Sequence, residues 1–432
     1  MNNHRILIKE FFIPLFLLCI IALLTVVLFN LRFIVSSVVQ NNNLEGEIGE
    51  KEILPLRGIG KSKPVAFNMS EFVTYYGGGQ GSDSIVAITD SSLRITTGGD
   101  GGWYGARAKI TPTDVSSSTI TFSVRFDQWD DVDRVLVMFA SDNGEFQNYF
   151  GLNLKNKFAF PADDEWISIM AEKSEFEVIA GNPNWDHVTD IAVRVVPKPA
   201  VATRVWFDAF GHIPKKASST IVSITFDDGF KSVLDAMEVM DTYGMDGTAY
   251  VIPDYLNKDG YLNKNDLDLL SEKGWDISGH GSKNLIKLEY SDTDTELAEM
   301  FTFLETNKYT GMQHFAYPNG GYDEEHRSQI QEYFQTGRTI DGFVQTQDYM
   351  IPTAISAFTV SSDVSKDELF KKIDDAILEN SWLILVWHDL VNEEPQIDVE
   401  YKLEDFQKIM QYLSDKNVEV LPFSEAYNKI RQ

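Results

Sequence analysis

The chain has 432 residues, 43% apolar and 12% aromatic, with 65 acidic against 37 basic residues and a formal net charge of −28. That length has room for two or three domains with sizeable cores, and the acid excess argues against a nucleic-acid partner and against broad contact with anionic lipid. One cysteine, Cys19, leaves no intramolecular disulfide and no thiolate site, so any metal must be held by His, Asp, Glu or Asn.

Residues 1–10 carry Arg5 and Lys9 and read as a cytoplasmic N-terminus. Phe11 to Phe29 is uncharged and almost wholly apolar. As a helix it would span about 28 Å, close to a bilayer's hydrocarbon core, so 11–30 is expected to be a transmembrane signal-anchor. The alternatives are a cleaved signal peptide and a buried helix. The anchor and the signal peptide both place the rest of the chain outside the cytoplasm, and the anchor holds it at the cell membrane. Residues 31–64, with Asn41-Asn-Asn43 and scattered Gly and Glu, read as a stalk.

From 65 to 212 the apolar residues alternate in short runs, as in Thr119-Ile-Thr-Phe-Ser-Val-Arg-Phe126 and Ile191-Ala-Val-Arg-Val-Val196. Period two, with Gly, Asp and Asn turns, predicts an antiparallel β-sandwich. Its tryptophans, among them Trp103, Trp166 and Trp206, either fill the core or stack on sugar rings. The segment resembles the jelly-roll accessory modules of carbohydrate-active enzymes.

From 218 to 432 apolar runs alternate with helical patterns about seven times, beginning with Val222–Phe226 and ending with Val418–Leu421 and a tail helix. Such alternation predicts parallel strands with crossover helices, closed or nearly closed into a (β/α) barrel whose chemistry collects at the C-terminal strand ends. Candidate residues do follow apolar runs. Asp227 and Asp228 end the first, His280 follows Trp275-Asp-Ile-Ser-Gly279, Tyr317-Pro-Asn-Gly-Gly321 follows His314-Phe-Ala316, and His388 ends Trp382-Leu-Ile-Leu-Val-Trp387. Adjacent acids suit a hydrolytic metal site, and they equally suit an Asx-type turn. His314 reads as structural and His326 as a solvated helix residue. His187 and His212 lack partners at metal-ligand spacing. There is no Gly-x-Ser-x-Gly elbow and no Walker loop, which argues against serine-nucleophile and nucleotide chemistry.

In order and spacing, Thr225-Phe-Asp-Asp-Gly229, His280-Gly-Ser-Lys-Asn284, Phe315-Ala-Tyr-Pro-Asn-Gly320 and Leu383-Ile-Leu-Val-Trp-His388 resemble the motifs of the polysaccharide deacetylases, the NodB-homology carbohydrate esterases. The resemblance implies a distorted (β/α) barrel that removes N- or O-linked acetyl groups from a polysaccharide or oligosaccharide with a divalent metal, usually Zn²⁺, with Co²⁺, Ni²⁺ or Mn²⁺ as alternatives. It implies Asp227 as general base, His388 as general acid, and Asp228, His280 and Asn284 as metal ligands. Tyr317, Pro318 and Asn319 fall at the oxyanion and substrate-binding positions. The chain departs from the pattern at Asn284, where the family has His, and at Ala316, where it has the Arg that steadies the base. Arg338 could supply that charge from a neighbouring strand. The family's Asp-x-x-Asp-Trp motif has no counterpart, so no residue is assigned to tune His388. The departures keep open a second reading, a membrane-anchored glycan-binding protein with a degenerate, non-catalytic barrel.

Overall fold

The structure, a computed structural model, describes residues 58–74, 85–89, 92–99, 102–158 and 163–432. The anchor expected at 11–30, and all but the end of the stalk, lie outside the described residues. Among those described, no helix is long and apolar enough to cross a membrane.

The alternating N-terminal segment forms two six-stranded antiparallel sheets. In one, Arg204–Pro214 lies between Ser92–Thr96 and Ser118–Phe126; in the other, Val188–Pro197 lies between Tyr104–Thr113 and Val132–Ala140. Alternation decides which side chains face inward. Ile120, Phe122, Val124 and Phe126 from the first sheet meet Val135, Val137, Phe139, Ile191 and Val193 from the second in one buried cluster. Trp129 and Trp206 are buried, while Trp103, Trp166 and Trp185 are partly exposed.

The C-terminal half is an eight-stranded parallel sheet. We number its strands β1 (Ile221–Phe226), β2 (Thr248–Val251), β3 (Asp276–His280), β4 (His314–Ala316), β5 (Thr336–Arg338), β6 (Phe358–Thr359), β7 (Trp382–Trp387) and β8 (Glu419–Val420). The spatial order is β5-β4-β3-β2-β1-β7-β6, with β8 also paired to β1. β1 and β7 form the centre. All six residues of each are buried, as expected of parallel strands covered on both faces. Helices α1 (Val233–Asp241), α2 (Lys264–Glu272), α3 (Tyr290–Asn307), α4 (Glu324–Tyr333), α5 (Lys366–Glu379), α6 (Leu403–Asp415) and α7 (Phe423–Ile430) connect or follow the strands. Their starts are capped locally: Asn263 and Asp266 form a capping box, and the side chains of Asp323 and Ser365 accept from N3 backbone amides.

The expected (β/α) barrel is present as an open half-barrel. β5 and β6 are its edges, and no strand ladder joins them among the described residues. A length of irregular chain crosses the gap. Ile355 pairs with Arg338 on one side, and Gln345 exchanges backbone hydrogen bonds with Trp382 on the other. Side-chain bonds replace the missing ladder: the Gln345 amide donates to the carbonyls of Thr346 and Tyr349.

Buried charge fills the seam between the sheets and the half-barrel. Lys215 sits between Glu172, at 2.6 Å, and Glu379, at 2.5 Å. Glu172, fully buried, also accepts from Thr119 and Ser381. Nearby, Glu175 pairs with Lys157 and accepts from the Val344 amide, and the Asp348 carboxylate accepts from the amides of Lys216 and Ala217. An apolar contact joins Met170 and Ile213 to Tyr349 and Ile351.

Candidate active site

The site begins where β1 stops. Phe226 is anchored below by Trp275, Trp387 and Phe406, and the Asp227 amide still bonds across to the Trp387 carbonyl at 2.9 Å. The chain then turns through two residues of positive φ, Asp228 (69°) and Gly229 (80°). Asp tolerates the left-handed region better than most residues, and Gly enters it freely. The turn separates the two carboxylates: Asp227 is buried, and Asp228 is partly exposed.

Asp227 meets Arg338, the last residue of β5. One guanidinium nitrogen, Nη2, donates to both carboxylate oxygens at 2.6 Å. The arginine is completely buried and lies over the Tyr250 ring, 5.0 Å from its centroid. Arg338 thus sets a cation against Asp227 from the strand position paired with Ala316.

His280 closes β3 and is 5% exposed. Its Nδ1 lies 2.9 Å from the Ala316 carbonyl. A carbonyl cannot donate, so Nδ1 carries a hydrogen and Nε2 faces Asp228 Oδ1, 3.4 Å away. Two unprotonated acceptors would repel at that distance, so a proton or a cation belongs between them. Burial works against the charged imidazole, but the negative charges of Asp227 and Asp228 raise His280 above its ordinary value. Burial likewise opposes ionisation of Asp228, and His280, with His388 and Arg338 behind it, still holds that carboxyl below the usual range.

His388 follows β7. Burial pushes its imidazole down, against the pull of Asp227 and Asp228, whose charges reach it together with those of His280 and Arg338. Its Nδ1 is buried with no hydrogen-bond partner. The adjacent Asp389 is engaged elsewhere, accepting from Ser232 Oγ at 2.6 Å.

Asn284 departs from the sequence reading. The helical spacing expected between His280 and residue 284 is absent, because 281–284 is irregular chain ordered by the Glu296 carboxylate, which accepts from the Ser282 amide at 2.6 Å. Asn284 Oδ1 is buried without a partner and lies against Gly321, where a Cβ would come within 2.6 Å of it. Among the described residues no group of three His, Cys, Asp or Glu is placed to hold a metal. A cation at Asp228 and His280 therefore needs a different kind of third donor, and the orphaned amide oxygen of Asn284 is one in chemical type. Carboxylate, imidazole and amide oxygen are donor types that a divalent ion accepts.

Side-chain roles in substrate binding are corrected for two residues. The Tyr317 ring is buried between Tyr322 and Phe315, its hydroxyl donates to the Thr353 carbonyl at 2.9 Å, and Pro318 is buried beside it. They shape the turn instead. Asn319 stays exposed at its tip, in left-handed conformation with φ 56°. His326, read as solvated, is 5% exposed, with Nδ1 2.6 Å from the Asp323 cap. His314 is buried as expected and contacts Thr336.

Sequence reasoning missed the Ala316 carbonyl that orients His280, Tyr250 beneath Arg338, and Glu296. Tyr250 sits within an apolar strand and reads as core; a backbone carbonyl leaves no trace in residue types.

Residues 215–336 match the family model for polysaccharide deacetylase. This stretch is a divergent polysaccharide deacetylase domain; the match holds Asp227, Asp228, His280 and Asn284 and ends before Arg338 and His388. No curated protein matches the chain. Among solved structures, the chain is similar to a family 4 carbohydrate esterase from Streptomyces lividans in complex with acetate, at 18% identity over 46% of this chain and 91% of that one, TM-score 0.34. It is similar to a family 4 acetyl xylan esterase from Clostridium thermocellum in complex with a cobalt ion, at 16% identity over 48% and 91%, TM-score 0.34. A polysaccharide deacetylase from Bacillus cereus aligns at 14% identity over 62% and 95%, TM-score 0.32.

Proposed function

We propose that the chain is a metal-dependent hydrolase that removes acetyl groups from an N-acetylated or O-acetylated polysaccharide outside the cytoplasm. The observation that carries this reading is the meeting of two pairs at one strand-end rim: Asp227 clamped by Arg338, and Asp228 facing His280.

Each pair has a different task. Arg338 fixes the orientation of Asp227 and balances its charge, so the carboxylate is presented as an acceptor for a proton from water. Asp228 and His280, with Asn284 as the third donor, would hold Zn²⁺, Co²⁺, Ni²⁺ or Mn²⁺. Such an ion polarises the acetyl carbonyl and acidifies water. The His280 tautomer suits ligation, because Nδ1–H is spent on the Ala316 carbonyl and Nε2 is left to bind. His388, just past the end of β7, delivers a proton to the departing amine, which is a poor leaving group until protonated. The Asn319 backbone N–H at the exposed turn supplies a donor for the oxyanion.

In this reading residues 11–30 anchor the protein, 31–64 form the stalk, and the sheets of 65–212 accompany the catalytic half as a carbohydrate-binding module. A second reading, a glycan-binding protein without turnover, is favoured by the orphaned Nδ1 of His388 and by Asn284 in place of His. Metal content and acetate release of the purified chain separate the two. A deacetylase carries about one divalent ion and frees acetate from an N-acetylated glycan. A binding protein retains glycan affinity and frees none.

A further inference from the structure

Residues 339–357, which cross the opening of the half-barrel, are irregular chain. On the barrel side the span is tied to β5 and to β7. The Thr339 amide donates to the Ile355 carbonyl at 2.8 Å and the Ile355 amide to the Gly337 carbonyl at 3.0 Å, while Gln345 and Trp382 exchange bonds of 3.1 and 2.8 Å. These are isolated bridges, not a ladder. Ordering irregular backbone costs conformational entropy, which contacts elsewhere must offset.

The N-terminal sheets supply them. Phe343 is 4% exposed and belongs to the sandwich's own buried cluster, the one member from beyond residue 212 among the described residues. Its ring meets Phe158 edge-on, with centroids 5.8 Å apart, and Lys157 lies over it at 5.5 Å. The neighbouring backbone is bonded to the same sheets. The Val344 amide donates to the Glu175 carboxylate at 3.1 Å, and the Thr119 hydroxyl donates to Thr346 Oγ1 at 3.2 Å. Farther along, Ile59 and Met350 exchange backbone bonds of 2.8 Å.

The span in turn touches the proposed catalytic machinery twice. It leaves β5 directly after Arg338, whose guanidinium clamps Asp227 at 2.6 Å. Its Thr353 carbonyl accepts from the Tyr317 hydroxyl at 2.9 Å, and Thr353 Oγ1 accepts from Arg327 Nε at 3.1 Å. The first of these bonds braces the turn that carries Asn319. One span therefore supports both the cation that orients the base and the turn that presents the oxyanion donor, and the sandwich core grips that span.

We propose that the sandwich, besides any sugar its sheets bind, is the wall that closes the half-barrel, and that Phe343 is a positioning residue. Its ring, seated in the sandwich core, holds 339–357 in the path that keeps Arg338 against Asp227. A ring in a close-packed core resists displacement because it loses its dispersion contacts on moving. The effect on catalysis rests on the deacetylase reading; the closure itself does not.

The test uses the full chain with Phe343→Ala, Phe343→Met and Val193→Ala, the last trimming the same core on the strand Val188–Pro197. At a temperature where circular dichroism shows all of them folded, F343A should lower kcat at least about tenfold with KM within about twofold, as expected of misplaced groups that act in the transition state. F343M, which refills the space, should keep kcat within about threefold, and V193A should match wild type. Wild-type kcat in F343A overturns the proposal. An equal fall in V193A also overturns it, because the loss is then one of general stability. Should F343A fail to fold, Phe343→Leu takes its place in the same comparisons. Hydrogen exchange reads the contact without turnover. In F343A the amides of Gly337, Thr339 and Ile355 should exchange at least about tenfold faster, while those of Ile221–Phe226 keep their protection. Unchanged protection at 336–341 refutes the positioning role. If wild type frees no acetate but exchange is still accelerated in F343A, the deacetylase reading falls and the closure stands.

Discussion

Replacing Arg338 by Met removes one partner of a buried ion pair while roughly keeping its volume. The arginine side chain is fully buried and Asp227 is 5% exposed, so solvent screens neither charge. Two contacts of 2.6 Å disappear, and a buried carboxylate is left uncompensated. Breaking such a pair costs about 3–5 kcal/mol, and loss of the cation over Tyr250 adds about 1–2 kcal/mol. Removing both partners together, as Arg338→Met with Asp227→Leu, leaves no orphaned charge and should recover much of the loss. Urea unfolding followed by tryptophan fluorescence measures the cycle. The expected coupling is at least about 2 kcal/mol, against under about 1 kcal/mol for an exposed pair such as Lys366–Asp367. If Arg338→Met alone costs less than about 1 kcal/mol, or the two changes simply add, Arg338 does not hold Asp227 and the reasoning fails. In the same single variant kcat should fall about 100-fold, since a mispositioned base costs rate even when it is chemically intact.

Three further predictions concern other parts of the molecule. His314 is held neutral by burial, its imidazole pushed down to about 3. The unfolded chain binds that proton near pH 6.5 and the folded chain does not, so stability falls as pH drops below 6.5, by about 1.4 kcal/mol per pH unit. His314→Asn should remove that slope from urea midpoints taken between pH 6.5 and 4.5. Comparison of variants is needed because Asp341, raised by burial to about 6, contributes the opposite slope between pH 6 and 4. Lys215→Met leaves the carboxylates of Glu172 and Glu379 without the cation between them, and should cost about 3–5 kcal/mol in the same assay; a loss under about 1 kcal/mol would show that the seam does not depend on it. Gly321→Ala introduces no φ strain, since Gly321 has φ −76°, but its methyl would meet Asn284 Oδ1 at 2.6 Å. It should weaken binding of a divalent ion about tenfold in a chelator competition, and unchanged affinity would remove Asn284 from the ligand set.

What the sequence revealed depended on how each element is buried. Ile221–Phe226 and Trp382–Trp387 are continuous apolar runs because both faces of a central parallel strand are covered, and they are legible for that reason. Thr336–Arg338 is as deeply buried, but three residues with a glycine and a charge make no apolar run, and Arg338 enters the sequence reading only as a charge from a neighbouring strand. Its arginine is buried only because Asp227 neutralises it, and pairing between residues 111 apart leaves no local pattern. Paired acids and histidines after apolar runs were readable because side chains that follow strands collect at one rim. The path of the chain between His280 and Asn284 was not, since a four-residue interval looks the same in a helix and in a loop. The seam shows the same limit: Glu172, Lys215 and Glu379 read as ordinary surface charges until their partners are known.

The most direct measurement of the central claim is acetate freed from an N-acetylated polysaccharide by the wild-type chain and by Asp227→Asn, with and without a chelator. The account predicts acetate and new free amines in equal amounts from wild type, loss of both on chelation, recovery with a divalent ion, and none from the variant. No acetate from wild type with any of Zn²⁺, Co²⁺, Ni²⁺ or Mn²⁺, or equal release by wild type and variant, would contradict it.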